Sequence, residues 1–522
     1  MIDQIKYEQG AEEFLKVSAQ FRLGGLPTET PNPRTLNLSE DAKHNVSRAI
    51  ASIKEIDQDV FKKVEASLSH IKFLKEKVSE TILGGGNIFL CGCGATGRLS
   101  LALETIWRHQ HSGNKNLENT ITSFMAGGDV ALINSVEKFE DFPEFGERQL
   151  LELGFKDGDL LISTTEGGET PFVIGATEAA ARISGRSPFF LYCNPDDVLI
   201  KTAERSKRVI EDPKIHKINL TVGPMALTGS TRMQATTILM YAAGLALWFY
   251  DQDFQKIENE VKAIQSLIDK TNFDFLRPFI ERESDIYKKG GYIFYETDTY
   301  FGISILTDTT ERSPTFSLYP FENQLDTVKN PSLSYLYFRH SKNAESAWNE
   351  LLLRAPRTFH WKEITNATSG ERLAGFDFSE KFPEVRAGYL KNEHAYFKIY
   401  FDKENNYITF ELEELKHTLK LDDLNFLSAH LVLKILINNL STTIMGRMGR
   451  YESNLMTWVR ASNNKLVDRA VRYVTILLAK KGIDVSYEKL VHACFRMKDL
   501  VPRDQALVLK MVEEFSKKSN SD

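Results

Sequence analysis

The stretch of this chain best suited to chemistry is Cys91-Gly92-Cys93-Gly94-Ala95-Thr96-Gly97-Arg98-Leu99-Ser100. The apolar run Asn87-Ile88-Phe89-Leu90 leads in, and Leu99-Ser100-Leu101-Ala102-Leu103-Glu104 leads out, which reads as strand, glycine-rich turn, helix. Three glycines let the backbone bend tightly and lie against a ligand. Free N–H groups and the start of a helix then converge on one spot, which attracts an anion, most simply a phosphate. Thr96 adds a hydroxyl. The spacing is not GxxxxGK[ST], because no lysine follows, and it is only a loose form of the dinucleotide fingerprint. The expected ligand is therefore smaller than a nucleotide. From this stretch alone, a glycine-rich turn that binds nothing remains the alternative.

The elements that must hold this turn follow from periodicity. Over about 39–83, apolar residues recur at three- and four-residue steps, as a helical region, until Gly84-Gly85-Gly86 stops it. Short apolar runs at 88–91, 122–126, 160–164, 189–193 and 218–222 then alternate with helical segments at 98–110, 130–138, 171–183 and 196–206. Such alternation predicts a parallel sheet covered on both faces. Binding in such sheets lies at the carboxyl ends of strands. The opening turn is at one such end, and Ser163-Thr164-Thr165-Glu166-Gly167-Gly168 is at another. A long helix at 231–250 closes the unit.

A second copy follows. A charged helical stretch, 255–289, ends at Gly290-Gly291, and Tyr292-Ile293-Phe294-Tyr295 echoes the first strand. Runs at 315–319, 333–338, 396–401 and 408–412 continue the pattern, and a helix at 424–445 closes it. The second loop, Glu296-Thr297-Asp298-Thr299-Tyr300-Phe301-Gly302, is acidic and bulky, so it should repel phosphate. Helices at 465–481, 487–498 and 503–517 form a C-terminal cap.

Composition narrows the class. The 522 residues are 42% apolar and 26% charged, as in an ordinary globular protein, and the net charge of -6 gives no reason to expect nucleic acid or an anionic membrane. Four scattered cysteines read as small buried residues of a reducing compartment, with no metal or cofactor implied. The start of the chain lacks a basic-then-apolar signal, and the apolar run 238–250 is too short to span a bilayer. The cytoplasm is the expected setting.

The motifs then become specific. The first unit resembles a sugar isomerase (SIS) domain, and within that superfamily the N-acetylmuramic acid 6-phosphate etherase group. The tandem arrangement with a helical end resembles that group's two-domain relatives, the glucokinase regulatory proteins. Six stretches carry the likeness beside the opening loop. They are Leu26-Pro27-Thr28-Glu29 with Asn32-Pro33 and Thr35; Ala126-Gly127-Gly128-Asp129; Leu227-Thr228-Gly229-Ser230-Thr231-Arg232-Met233; Asn439-Leu440-Ser441-Thr442; Gly446-Arg447; and Ser462-Asn463-Asn464-Lys465-Leu466. The likeness is weakest over about 340–400. It implies an α/β fold of two SIS domains, each a three-layer α/β/α unit with a mainly parallel five-stranded sheet, plus a C-terminal α-helical cap. The expected parts are an N-terminal arm (1–44), a first SIS domain with the phosphosugar loop (45–255), a second with a degenerate loop (256–455) and the cap (456–522).

The resemblance also implies roles. Gly94, Ala95, Thr96 and Gly97 would hold a sugar phosphate, with Thr165 and Gly167 on the next strand end. Glu166 departs from the family pattern and is expected to face a sugar hydroxyl or solvent. One of the etherase's two glutamates falls on Glu140. The place of the other holds Ile106, with Glu104 two residues off, while the second copy supplies Glu311 there. Lys465 matches a lysine that reaches the ligand from the cap, and Arg232 is expected to be structural. A fused pseudo-dimer, monomeric in solution, would thus hold one site between its halves. Three functions are compatible: a phosphosugar-binding regulator of the glucokinase-regulatory type, with fructose 6-phosphate as the kind of ligand and a sugar kinase as partner; an etherase-type carbon–oxygen lyase releasing D-lactate; and a phosphosugar isomerase. The tandem units and the cap favour the first. Catalysis in the second would use one glutamate to remove the C2 proton and the other to protonate the departing ether oxygen.

Overall fold

The computed structural model describes residues 2–136, 139–364 and 367–519. Two five-stranded sheets organise the chain. In the first, β1 (Ile88–Gly92), β2 (Ile121–Met125), β3 (Leu160–Thr165), β4 (Phe189–Tyr192) and β5 (His216–Asn219) are all parallel, in the order β2-β1-β3-β4-β5. β1 and β3 are buried along their whole length, as the unbroken apolar runs require. The chain leaves β1 towards β2 on one side and returns to β3 on the other. The crevice between the carboxyl ends of β1 and β3 is therefore the switch point where such sheets bind ligands.

The second sheet is mixed. β6 (Tyr292–Thr297), β7 (Ser334–Phe338) and β8 (His394–Asp402) run parallel, and β9 (Tyr407–Leu412) and β10 (Leu415–Lys420) add antiparallel, in the order β10-β9-β8-β6-β7. Its order around β6 repeats that around β1.

The helices that close the two units, Gln234–Trp248 and Phe426–Arg447, are buried on nearly every face and pack against one another. A polar network is sealed at this seam. Arg232 pairs with Asp308 at 2.7 Å and donates to Ser441 and Thr442, while the buried Lys434 ammonium donates to the Arg232 and Met233 carbonyls. Burial lowers the pKa of Lys434 to about 7. Arg232 thus ties this turn to a carboxylate and two hydroxyls of the second half.

Several sequence expectations are corrected. The expected helix at 130–138 does not form over 130–136; short 3-10 turns form at Asp129–Leu132 and Phe139–Asp141, and Glu137 and Lys138 lie outside the described residues. The helix there is Pro143–Glu152, with proline in its first turn, where no backbone N–H is needed. The run at 315–319 is not a strand but the end of the helix Gly302–Phe316, which stops at Ser317 in the left-handed region, φ 54°.

The stretch 354–361, where the family likeness is weakest, is a strap from the second half laid over the first. Arg354 reaches Asp129 at 2.6 Å, and Arg357 grips Glu104 at 2.8 and 2.9 Å. Burial would raise the Glu104 carboxyl, but Arg354 and Arg357 hold it at about 2. Glu104 therefore points to this clasp, while Ile106 is in the core.

Candidate functional site

The helix Ala95–Gln110 begins immediately after the turn that follows β1. Gly94 takes φ 57° and ψ -123°, a combination that only glycine adopts without strain, and opens the turn. Gly97 is needed for a different reason. A Cβ there would lie 2.4 Å from the Met125 Cβ, so glycine lets the helix sit against β2. Thr96 spends its hydroxyl inside the turn, accepting from the Cys93 N–H at 3.0 Å and donating to the Cys93 carbonyl at 2.9 Å. Thr165 does the same at the end of β3, where its hydroxyl bonds Thr170 and accepts from the Gly168 N–H. The Gly167 carbonyl accepts from Asn194. Of the expected phosphate ligands, Gly94 and Ala95 face the cavity beyond the turn, whereas Thr96, Gly97, Thr165 and Gly167 shape its walls from behind.

That cavity has a volume of about 260 Å³. Glu140, Glu166, Glu311 and Lys465 all line it. The first two come from the first half, Glu311 from the helix Gly302–Phe316 of the second, and Lys465 from the cap helix Asn464–Ala479.

Each of these charges has partners. Glu311 is bound by the Arg98 guanidinium, which the Ala131 and Leu132 carbonyls fix from the other side at 3.0 and 3.1 Å. Glu140 accepts from Asn463 Nδ2 at 3.0 Å and faces Cys93 Sγ at 3.4 Å. Lys465 Nζ donates to Glu169 at 2.9 Å, and Glu169 also holds Arg205. Burial opposes the charge on Lys465, but Glu169, Glu140 and Glu29 keep its pKa above the ordinary lysine value. Burial also raises Glu169, yet Lys465 and Arg205 bring it to about 2.

Glu166 is the exception. It is 8% exposed, and among the described residues its one side-chain partner is the Thr236 hydroxyl, at 3.2 Å. Burial, with Glu311 adding to it, raises its pKa to about 7. It faces the cavity, not solvent.

Two lining residues lie outside the sequence expectations. Asn463 caps the cap helix by accepting from the Leu466 N–H, and it orients Glu140. Arg469 lies one turn beyond Lys465 on the same helix face, which is the signal the sequence offers for it. It pairs with Glu29 of the Leu-Pro-Thr-Glu motif, and so ties the N-terminal arm to the cavity. Burial opposes ionisation of Glu29, but Arg469 and Arg472 hold it at about 2.

The second copy's loop differs in a specific way. Asp298 follows β6 as Cys93 follows β1. Its carboxylate accepts from the Tyr300, Phe301 and Phe401 N–H groups at 2.9, 3.2 and 3.3 Å. The amides that could hold an anion already hold one of the chain's own.

Among the described residues, no helix is long and apolar enough to cross a membrane, and no group of three or more His, Cys, Asp or Glu side chains is arranged to hold a metal ion.

Residues 68–181 match the family described as the glucokinase regulatory protein N-terminal SIS domain. The chain is 30% identical to the N-acetylmuramic acid 6-phosphate etherase of Bacillus pumilus over 216 residues, which is 41% of this chain and 65% of that enzyme, so the match spans just under two thirds of its length. It is also 30% identical to the etherase of Salmonella agona over 253 residues, 48% of this chain and 79% of that one. Among solved structures, the C-terminal domain of glucosamine-fructose-6-phosphate aminotransferase from Francisella tularensis aligns with a TM-score of 0.40 and 13% identity, covering 78% of this chain and 97% of that one.

Proposed function

The chain belongs to the N-acetylmuramic acid 6-phosphate etherase family of SIS-domain proteins, and from that premise we propose that it is a sugar-phosphate-binding protein of the glucokinase-regulatory type. The observation that carries this reading is one cavity walled by the glycine turn, Glu140, Glu311 and Lys465, drawn from both halves and the cap. A phosphate takes the turn's amides and the Lys465 charge, and sugar hydroxyls donate to the two carboxylates. Glu311 and Glu140 already accept from Arg98, Asn463 and Cys93, an arrangement that suits hydroxyl recognition better than proton transfer. A fructose 6-phosphate-like ligand bound there bridges the halves and the cap, and it favours whichever of their arrangements it contacts best. The partner that reads this arrangement is a sugar kinase, in the cytoplasm, and the pseudo-dimer acts as a monomer.

A second reading, an etherase-type lyase, is favoured by Glu166. A carboxyl with a pKa of about 7 on the same cavity can carry a proton near neutrality. Incubation with N-acetylmuramic acid 6-phosphate and an assay for D-lactate separates the two. The expected result is no lactate, with fructose 6-phosphate raising the melting temperature. Lactate release that disappears in Glu140→Gln and Glu311→Gln overturns the regulatory reading in favour of the lyase.

A further inference from the structure

The site cavity has a neighbour. Ser135, Pro314, Ser462 and Leu466 line both it and a second cavity of about 310 Å³ where the two halves meet the cap. Four cations line this second cavity: Arg98, which Glu311 already neutralises, and then Arg460, Lys498 and Arg503. Arg460 is anchored to the Val501 carbonyl at 2.9 Å and Arg503 to the Leu318 carbonyl at 2.9 Å, while the Lys498 ammonium lies 4.3 Å from the Phe495 ring centre. These contacts position the side chains without neutralising them. Among the described residues, none of the three forms an ion pair with a carboxylate; Asp499, the acid on the same wall, forms none with them. The charges also crowd one another: burial and then Arg503 push the Arg460 pKa down, against a smaller opposing pull from Asp499. Elsewhere in the molecule, clustered arginines are met by acids: Arg354 and Arg357 by Glu104, and Arg469 and Arg472 by Glu29. Here Asp499 lies near enough to act on Arg460, but no carboxylate among the described residues closes on the three as a salt bridge.

We propose that this basic cavity is a second anion subsite of the same cleft, and that the ligand is a doubly anionic sugar whose second phosphate or carboxylate lies among Arg460, Lys498 and Arg503. The proposal rests on the phosphosugar reading of the first cavity. Guanidinium forks suit such an oxyanion because they donate two parallel hydrogen bonds. The subsite supplies affinity for the second group alone, so a monophosphate forfeits it and a bisphosphate gains it.

Isothermal titration of the full chain with fructose 6-phosphate and with fructose 1,6-bisphosphate tests this. The bisphosphate is expected to bind about tenfold tighter or better. In Lys498→Gln combined with Arg503→Gln that advantage should fall to about twofold, with the monophosphate affinity unchanged. Arg503→Lys, which keeps the charge, should retain part of the gain and shows that the cap is still folded. Equal affinities in the wild type, or an advantage undiminished in the double variant, overturn the subsite. If neither sugar binds, the phosphosugar reading falls by itself. The subsite is then judged with inorganic phosphate: binding that vanishes in the double variant supports it, and no binding to the wild type overturns it.

Discussion

The Arg98 guanidinium and the Glu311 carboxylate join the two halves of the molecule across the site: one stands on the helix that opens from the glycine turn, the other on its counterpart in the second copy. Arg98 is almost wholly buried and Glu311 nearly so. Removing one member of such a pair leaves the other uncompensated, at a cost of about 3–5 kcal/mol. Arg98→Met is expected to cost this much in urea unfolding, because Arg98 also satisfies two carbonyls. Glu311→Gln, which keeps a hydrogen-bond acceptor, should cost clearly less. Equal losses would mean that the pair itself carries little.

Glu166 makes stability depend on pH. Its carboxyl titrates at about 7 when folded and at 4.5 ordinarily, so between these values the folded chain holds a proton that the unfolded chain has released. Its contribution is therefore most favourable below pH 4.5 and is lost as pH rises through 7, a difference of about 3 kcal/mol. Glu166→Gln should flatten this part of the stability profile and raise the melting temperature at pH 8. The ratio of wild-type to variant Kd for fructose 6-phosphate should likewise rise between pH 6 and 8, since the ionised carboxylate opposes phosphate.

Trp361 on the strap steadies Glu140 from behind. Its ring stacks on Phe139 at 5.5 Å and 20°, its N–H donates to Glu152 at 2.9 Å, and the side chain is 4% exposed. Trp361→Ala is expected to cost about 3–5 kcal/mol of stability and to weaken phosphosugar binding, measured by calorimetry. Trp361→Phe keeps the stack and should retain the affinity.

Cys93 lies on the cavity with its thiol held in the protonated form. Burial, with Glu140 and Glu166 nearby, raises its pKa well above the ordinary value. Alkylation by iodoacetamide at pH 7.5 should run about tenfold or more slower than with a free cysteine, and it should quicken in Glu140→Gln. Fast labelling of the wild type would contradict this electrostatic picture.

The chain is legible from its sequence where local pattern and burial agree. β1, the turn and its helix can be read because an apolar run, three glycines and a helical period follow one another without interruption. Direction cannot be read in this way. A threonine beside a glycine turn offers a hydroxyl, but whether Thr96 and Thr165 spend it on the ligand or on the turn depends on a rotamer. Glu166 likewise shows its type and not its side of the strand. β10 escapes notice because a short edge strand, Leu-Lys-His-Thr-Leu-Lys, buries little: of its residues only Leu419 is buried. The strap leaves no period behind, because its partners, Glu104 and Asp129, lie more than two hundred residues away.

Asp298 has a consequence for counting. A symmetrical dimer of such units offers two equal sites that can influence each other. Here the second unit is self-saturated by a covalently tethered carboxylate, whose effective concentration no free phosphate can match. The expected isotherm for a monophosphate is hyperbolic, with one equivalent per chain and a Hill coefficient of one. A Hill coefficient above one for the isolated chain would show that the second unit still takes a ligand.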